Sequence, residues 1–163
     1  KYKPTSIFDP CAGWGERLLT AACHNIPYTG QDINQKLKEH YRKLIDCYSL
    51  TEQSITIVDS STTKNKADCL FTCPPYFDTE IYTENGAENL NKEDFIKWWD
   101  KIIKNSDVNT IAFQINQKYK TVLTDVVIMN GYKLVEELKL QKQASHFNKS
   151  KKEFESLMIL QKA

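Results

Sequence analysis

The sequence predicts a doubly wound α/β fold: about seven strands, mostly parallel, with helices on both faces and an antiparallel hairpin at the carboxyl-terminal edge. Three observations carry this. Short apolar runs of strand character alternate with segments of helical period. The last two strand-like runs have no helix between them, and strands joined without a crossover pair antiparallel. Acidic residues close three successive early strands, where open α/β sheets bind ligands.

Taken in order, Thr5 to Asp9 (TSIFD) reads as a strand and Gly15 to His24 as a helix, with Leu18, Leu19, Ala22 and Cys23 at helical spacing. Pro27 to Ile33 is a second strand. The stretch from Asn34 to Leu50 is an amphipathic helix capped by Asn34, its stripe being Leu37, Tyr41, Leu44, Ile45 and Tyr48. SITIVD and ADCLFT are strands three and four, with little or no helix in the polar stretch between them. Asn91 caps a helix that buries Phe95, Trp98, Trp99, Ile102 and Ile103, and VNTIAFQI is the fifth strand. A helix from Lys118 to about Met129, a turn at Gly131, and strands over YKLVEELKL and FESLMILQ complete the chain.

The 163 residues suit one domain with one core, so residues 1–163 are read as a single unit. With 40% hydrophobic and 26% charged residues the chain is globular, not disordered or fibrous. No apolar run reaches the ~18 residues of a membrane helix, and Lys1-Tyr2-Lys3-Pro4 does not open a signal peptide, so an intracellular location is expected. Five cysteines without a Cys-x-x-Cys pair indicate reduced thiols and no metal site. A formal charge of +1 gives no overall basic surface, which leaves room only for local patches.

The chemistry concentrates at strand ends. DPCAGWGERLL puts Asp9, Pro10, Gly13 and Gly15 between the first strand and its helix. Glycines there admit close approach of a ligand to the backbone, and Asp9 can accept from a cationic or hydroxylated group; a tight capped turn is the plain alternative. A phosphate loop wants no carboxylate, so Asp9 and Glu16 favour a cofactor without phosphates. Asp32 ends the second strand about 20 residues beyond the glycines, where a carboxylate can take both ribose hydroxyls, or simply cap the next helix. Asp59, followed by Ser60 and Ser61, could accept from an adenine amine or form a polar turn. Three such carboxylates on one edge make an adenosine pocket more credible than any one alone. The fourth strand runs into Cys73-Pro74-Pro75-Tyr76, a donor-free corner carrying aromatic rings.

In this order, Asp9-Pro10-Cys11-Ala12-Gly13-Trp14-Gly15, Asp32, Asp59 and Cys73-Pro74-Pro75-Tyr76 resemble the S-adenosylmethionine-dependent amino-methyltransferases of nucleic acids, notably phage-type and viral-type DNA methylases. The likeness spans nearly the whole chain, and the proline corner is its most specific part. It implies a Rossmann-like catalytic domain with S-adenosyl-L-methionine as cofactor. The implied cofactor-binding positions are Asp9, Pro10, Cys11, Ala12, Gly13, Gly15, Asp32, Ile33, Asp59 and Ser60; the implied catalytic ones are Cys73, Pro74, Pro75 and Tyr76. The implied partner is DNA with its target base flipped out. The chain carries no obvious target-recognition region, which fits the catalytic part of something longer.

The corner has a chemical logic. Methylating an aromatic amine requires its lone pair to be localised by acceptors that draw both hydrogens out of the ring plane. The Pro74 carbonyl is one such acceptor, held rigidly, and Tyr76 can stack on the extruded base; Phe77 reads as core. Cys73 departs from the family's Asp, Asn or Ser, since a thiol accepts weakly. Its likeness to serine suggests cytosine N4, whereas the motif order suggests adenine N6. A carbon-5 nucleophile would follow the prolines, not precede them.

Between Phe77 and Leu90, Asp78, Glu80, Glu84 and Glu88 would repel phosphates, so the segment reads as a lid or a surface excursion. Lys139, Lys142, Lys149, Lys151 and Lys152 could meet a nucleic-acid backbone or line a solvated loop, and His146 within it is given no catalytic role.

Overall fold

A computed structural model describes residues 2–76, 90–141 and 154–163. The elements are β1 (Ile7–Asp9), α1 (Glu16–Cys23), β2 (Tyr28–Asp32), α2 (Lys38–Cys47), β3 (Gln53–Ile57), β4 (Asn65–Lys66), β5 (Cys69–Thr72), α3 (Lys92–Lys104), β6 (Ser106–Asp107), β7 (Thr110–Asn116), α4 (Gln117–Met129), β8 (Tyr132–Gln141) and β9 (Phe154–Lys162). Single 3₁₀ turns, Gln35–Leu37 and Ser60–Thr62, precede α2 and follow β3.

Seven strands form one sheet in the order β3-β2-β1-β5-β7-β9-β8, and β9 alone runs against the rest. All three residues of β1 are buried, as an interior strand of a doubly wound sheet requires. From β1 the chain first builds toward β3, then crosses over and builds the other way through β5. The order therefore reverses between β1 and β5, and the crevice of such a sheet lies above their carboxyl ends. The predicted architecture is the one observed.

The terminal hairpin differs from a simple edge pair, because β9 inserts between β7 and β8. Burial explains the order. Ser156, Met158, Ile159 and Leu160 of β9 are buried, whereas β8 is largely exposed and carries Lys133, Glu137 and Lys139. The apolar strand takes the interior place, and the charged one takes an edge where unwanted pairing must be discouraged.

Helices α1 and α2 pack with Ile7, Leu18, Ala21 and Tyr28 over β1 to β3. Helices α3 and α4 cover the other face, where Phe8, Leu70, Trp99, Ile111, Phe113 and Leu160 form the main core. Helix α3 is fixed at its start by Asn91, whose side chain accepts from the Asp94 amide, and its charges run from Glu93 and Asp94 to Lys101 and Lys104, matching the helix dipole. Two expectations need correcting. Asn34 caps the 3₁₀ turn instead of α2 itself, and Tyr48 is 60% exposed because α2 ends at Cys47, before the stripe reaches it. The two-residue pair β4–β6 was too short to leave a periodic signal. Among the described residues no helix is long and apolar enough to cross a membrane.

Candidate active site

Asp9 closes β1 in complete burial. Its Oδ1 accepts from the Cys11 amide (3.1 Å) and the Thr72 hydroxyl (2.8 Å), and its Oδ2 from Arg17 Nε (2.6 Å) and the Tyr28 hydroxyl (2.7 Å). The cationic and hydroxylated partners expected of a ligand are thus supplied by the protein. This corrects the reading of Asp9 as an open acceptor: four donors occupy a carboxylate with about four acceptor sites. What Asp9 does is join β1, α1, β2 and β5 at one point. Burial acts to lower the Arg17 guanidinium, but the Asp9 charge outweighs it and holds the group firmly protonated. Burial and the same charge push the Tyr28 phenol far above its ordinary value, so it stays a donor.

Arg17 also donates to the Cys11 carbonyl, which fixes the loop into α1. Gly13 (φ +57°) and Gly15 (φ +85°) take left-handed conformations there. A Cβ on Gly15 would also lie 2.9 Å from the end of the Leu44 side chain, which would have to shift. Pro10 and Ala12 are buried beneath the loop, and the Ala12 amide donates to the Gln31 carbonyl. Trp14 stands 70% exposed between the glycines, its ring edge-on to His40 at 5.7 Å.

Asp32 at the end of β2 is half-buried. Its Oδ2 accepts from the Gly13 amide (2.8 Å) and its Oδ1 from the Asn34 amide (2.9 Å). The Tyr41 hydroxyl also lies within hydrogen-bonding reach of Asp32, and the carboxylate keeps acceptor capacity beyond these contacts. The Tyr41 hydroxyl donates to the Gly13 carbonyl, so the loop is held through both its amide and its carbonyl. Ile33 beside it is 45% exposed, an apolar surface next to a carboxylate.

Asp59 caps the 3₁₀ turn after β3, and its Oδ1 accepts from the Ser61 amide and from Trp98 Nε1, each at 2.9 Å. Burial works to raise its carboxyl, but these hydrogen bonds and the Lys101 charge outweigh that and hold it below the usual carboxylate range. Ser60 is buried and donates to the Pro10 carbonyl at 2.8 Å, which ties this turn to the β1 loop. Trp98, read as core, is half-buried and orients Asp59.

The proline corner leaves the sheet from β5, with Pro74 buried and Cys73, Pro75 and Tyr76 half-buried. β5 pairs with β1 at Ile7 with Cys69 and Phe8 with Leu70, so the corner leaves the sheet beside the loop that follows β1. Burial and the charges of Asp9 and Asp32 raise the Cys11 thiol well above its ordinary value, so it stays neutral. Tyr76 is less open than expected. Its ring stacks on Tyr119 of α4 at 4.5 Å and 15°, and its hydroxyl accepts from the Asn116 amide at 2.9 Å. One face is taken, and the ring is held in orientation from two directions.

The sequence-predicted residues thus gather on one edge, across β3, β2, β1 and β5. Sequence reasoning missed Arg17, Tyr28, Tyr41, Thr72 and Trp98, whose polar atoms set the geometry. A signal existed for Arg17: a lone cation in ERLLTAAC, in the first turn of a helix that starts beside a strand-end carboxylate. Phe77, Asp78, Glu80, Glu84, Glu88, Lys142, His146, Lys149, Lys151 and Lys152 lie outside the described residues. Two clefts lie elsewhere, one at the amino ends of β1 to β3 and one along β4 and β6. The hydrogen-bond geometry, not cavity size, marks the carboxyl edge as the site.

No family model matches the chain, and no curated protein matches it in sequence. Solved structures do resemble it. Magnesium protoporphyrin IX methyltransferase from Synechocystis PCC 6803, with bound SAM, has a TM-score of 0.70 and 12% identity over 98% of this chain and 70% of that one. TrmN from Thermus thermophilus has a TM-score of 0.71 and 14% identity over 98% of this chain and 44% of that one. A candidate RNA methyltransferase from Pyrococcus horikoshii has a TM-score of 0.68 and 13% identity over 97% of this chain and 74% of that one. At these identities the likeness is one of fold: the chain has the Rossmann-like methyltransferase fold.

Proposed function

We propose that the chain is an S-adenosylmethionine-dependent methyltransferase acting on an exocyclic amine of a DNA base, adenine N6 in the first place and cytosine N4 in the second. One observation carries the reading: a linked set of hydrogen bonds joins the cofactor-type carboxylates to the proline corner. Asp32 holds Gly13, Ser60 holds Pro10, and Asp9 holds Thr72, the residue before Cys73.

The donor set fits the cofactor. Asp32 keeps acceptor capacity for ribose hydroxyls, Ile33 offers an apolar face, and Asp59 is held as an anion suited to an adenine amine. Bound S-adenosylmethionine supplies a methyl group on a cationic sulfur. The protein's part is placement. The Pro74 carbonyl accepts a hydrogen from the target amine, fixed by the proline ring to the tolerance in-line transfer needs. Tyr76, held in orientation by Tyr119 and Asn116, is the ring on which the extruded base stacks.

Nucleoside mass spectrometry after incubating DNA and RNA separately with the protein and labelled cofactor tests this. Labelled N6-methyladenine from DNA is expected. Cofactor binding by calorimetry with no transfer to DNA, RNA or protein would overturn it in favour of an inert binding module. Tyr76→Ala is expected to impair transfer far more than cofactor binding. A second reading changes the acceptor to RNA, supported by the similarity in fold to the candidate RNA methyltransferase. Label in RNA alone would select it.

A further inference from the structure

We infer that the cleft along β4 and β6 seats the phosphodiester backbone of a nucleic acid, away from the edge at which the base would be modified. This deepens the reading above and rests on it. The cleft has a volume of about 530 Å³ and is lined by Lys64, Lys66, Lys104 and Lys162, with Asp107 the one carboxylate among the described lining residues. The chain as a whole balances 22 basic against 21 acidic residues, so this excess is a matter of placement, not composition. Placement of like charges around a concave surface concentrates a positive field there.

The cleft's own carboxylate does not neutralise it. Asp107 stands 3.8 Å from Lys66 and 3.7 Å from Lys162, at the outer limit of ion pairing, and is itself 66% exposed. Among the described residues only Lys104 is closely paired, to Asp100 at 2.7 Å. Among the described residues Lys64 forms no ion pair. By contrast, the frame is fixed. The Asn65 amide donates to the Asn105 carbonyl and the Ala67 amide to the Asp107 carbonyl, while the Asn105 side chain donates to the Ser61 carbonyl. These donors are spent inward, which leaves the ammonium groups to face a ligand.

That pattern selects the ligand. A small phosphate is usually held by a cluster of free backbone amides, and here Asn65 and Ala67 are already committed. Among the described residues the lining contains no arginine, and so none of the bidentate geometry that reads base edges. Hydrated lysine charges on a rigid frame suit an extended polyanion gripped without regard to sequence. The same frame leads to the candidate site: Asn105 holds Ser61, whose amide holds Asp59, and Gln31 beside Asp32 donates to Asn65 at 3.1 Å.

The test is fluorescence anisotropy with a labelled DNA duplex over a salt series, without cofactor. The double variant Lys66→Glu/Lys162→Glu is expected to bind about tenfold more weakly or worse, with the slope of log affinity against log salt reduced by about 2. Lys38→Glu/Lys43→Glu on α2, equal in charge and outside the cleft, is expected to change affinity by less than about threefold. Wild-type binding by the cleft variant, or equal loss in both variants, would overturn the inference. All four positions are exposed, and unchanged melting confirms that the variants fold. Calorimetry with S-adenosylmethionine separates the two proposals. Cofactor binding without any transfer strikes the enzymatic reading, whereas loss of cleft dependence strikes this one alone.

Discussion

Asp9 and Asp32 end neighbouring strands of one sheet, two residues of the same type on the same edge, yet they do opposite work. Asp9 is wholly buried and answers four donors from its own chain; Asp32 is half-buried and answers two backbone amides, with room for more. The difference lies in what stands nearby. Arg17, Tyr28 and Thr72 converge on Asp9 and make it the pin of the edge, whereas Asp32 meets two main-chain amides and, of the side chains described, the Tyr41 hydroxyl, and keeps an open side. A strand-end carboxylate is a candidate ligand only after its internal partners have been counted.

The largest effect should come from removing the pin. Asp9→Ala leaves Arg17 with its charge half-buried and uncompensated, a loss of about 4 kcal/mol and ~10 °C in melting temperature. Calorimetric melting checks it, and a drop of only a degree or two would break the contrast. Asp32→Ala should do the reverse: cofactor affinity falls by about tenfold to a hundredfold in titration calorimetry, with melting lowered far less than in Asp9→Ala. Tyr28→Phe removes one of the four donors while Arg17 still meets the same oxygen, so about 1 kcal/mol of stability is expected to be lost in denaturant titration.

The smallest effect sharpens the comparison through Asp59, which sits between the two cases. Trp98→Phe removes one hydrogen bond to that carboxylate and should lower melting slightly at neutral pH. Because the folded carboxyl is held below its usual range, its contribution to stability is present above the ordinary aspartate value and is lost as pH falls through the folded one. The gap between wild type and Trp98→Phe should therefore close below about pH 4. A gap that persists in acid would make the role of Trp98 one of packing.

The fold was legible because its signals are periodic. Ile111, Phe113 and Ile115 alternate along β7, and Phe95, Trp99, Ile102 and Ile103 mark one side of α3. The gathering of Asp9, Asp32, Asp59 and the proline corner on one edge was legible too, since strand ends in such a sheet share a side. What could not be read was direction. Nothing in TSIFD says that its aspartate turns inward to meet Arg17, or that Trp98 spends its indole on Asp59 instead of filling core. Those choices depend on contacts between residues 8 to 63 positions apart, and beyond the nearest of these a local pattern carries no information. The inserted place of β9 escaped for the same reason: adjacency in sequence proposes a hairpin, but only comparative burial decides which arm goes inside.

That insertion has a consequence for biosynthesis. Among the described strands β8 joins the sheet only through β9, so when β8 leaves the ribosome its partner is not yet made, and β7 presents an edge of unpaired backbone groups until the following arm arrives. Completion of the sheet is thereby postponed to the end of translation of this domain, and a ribosome stalling before Phe154 would release a chain with an open, adhesive border.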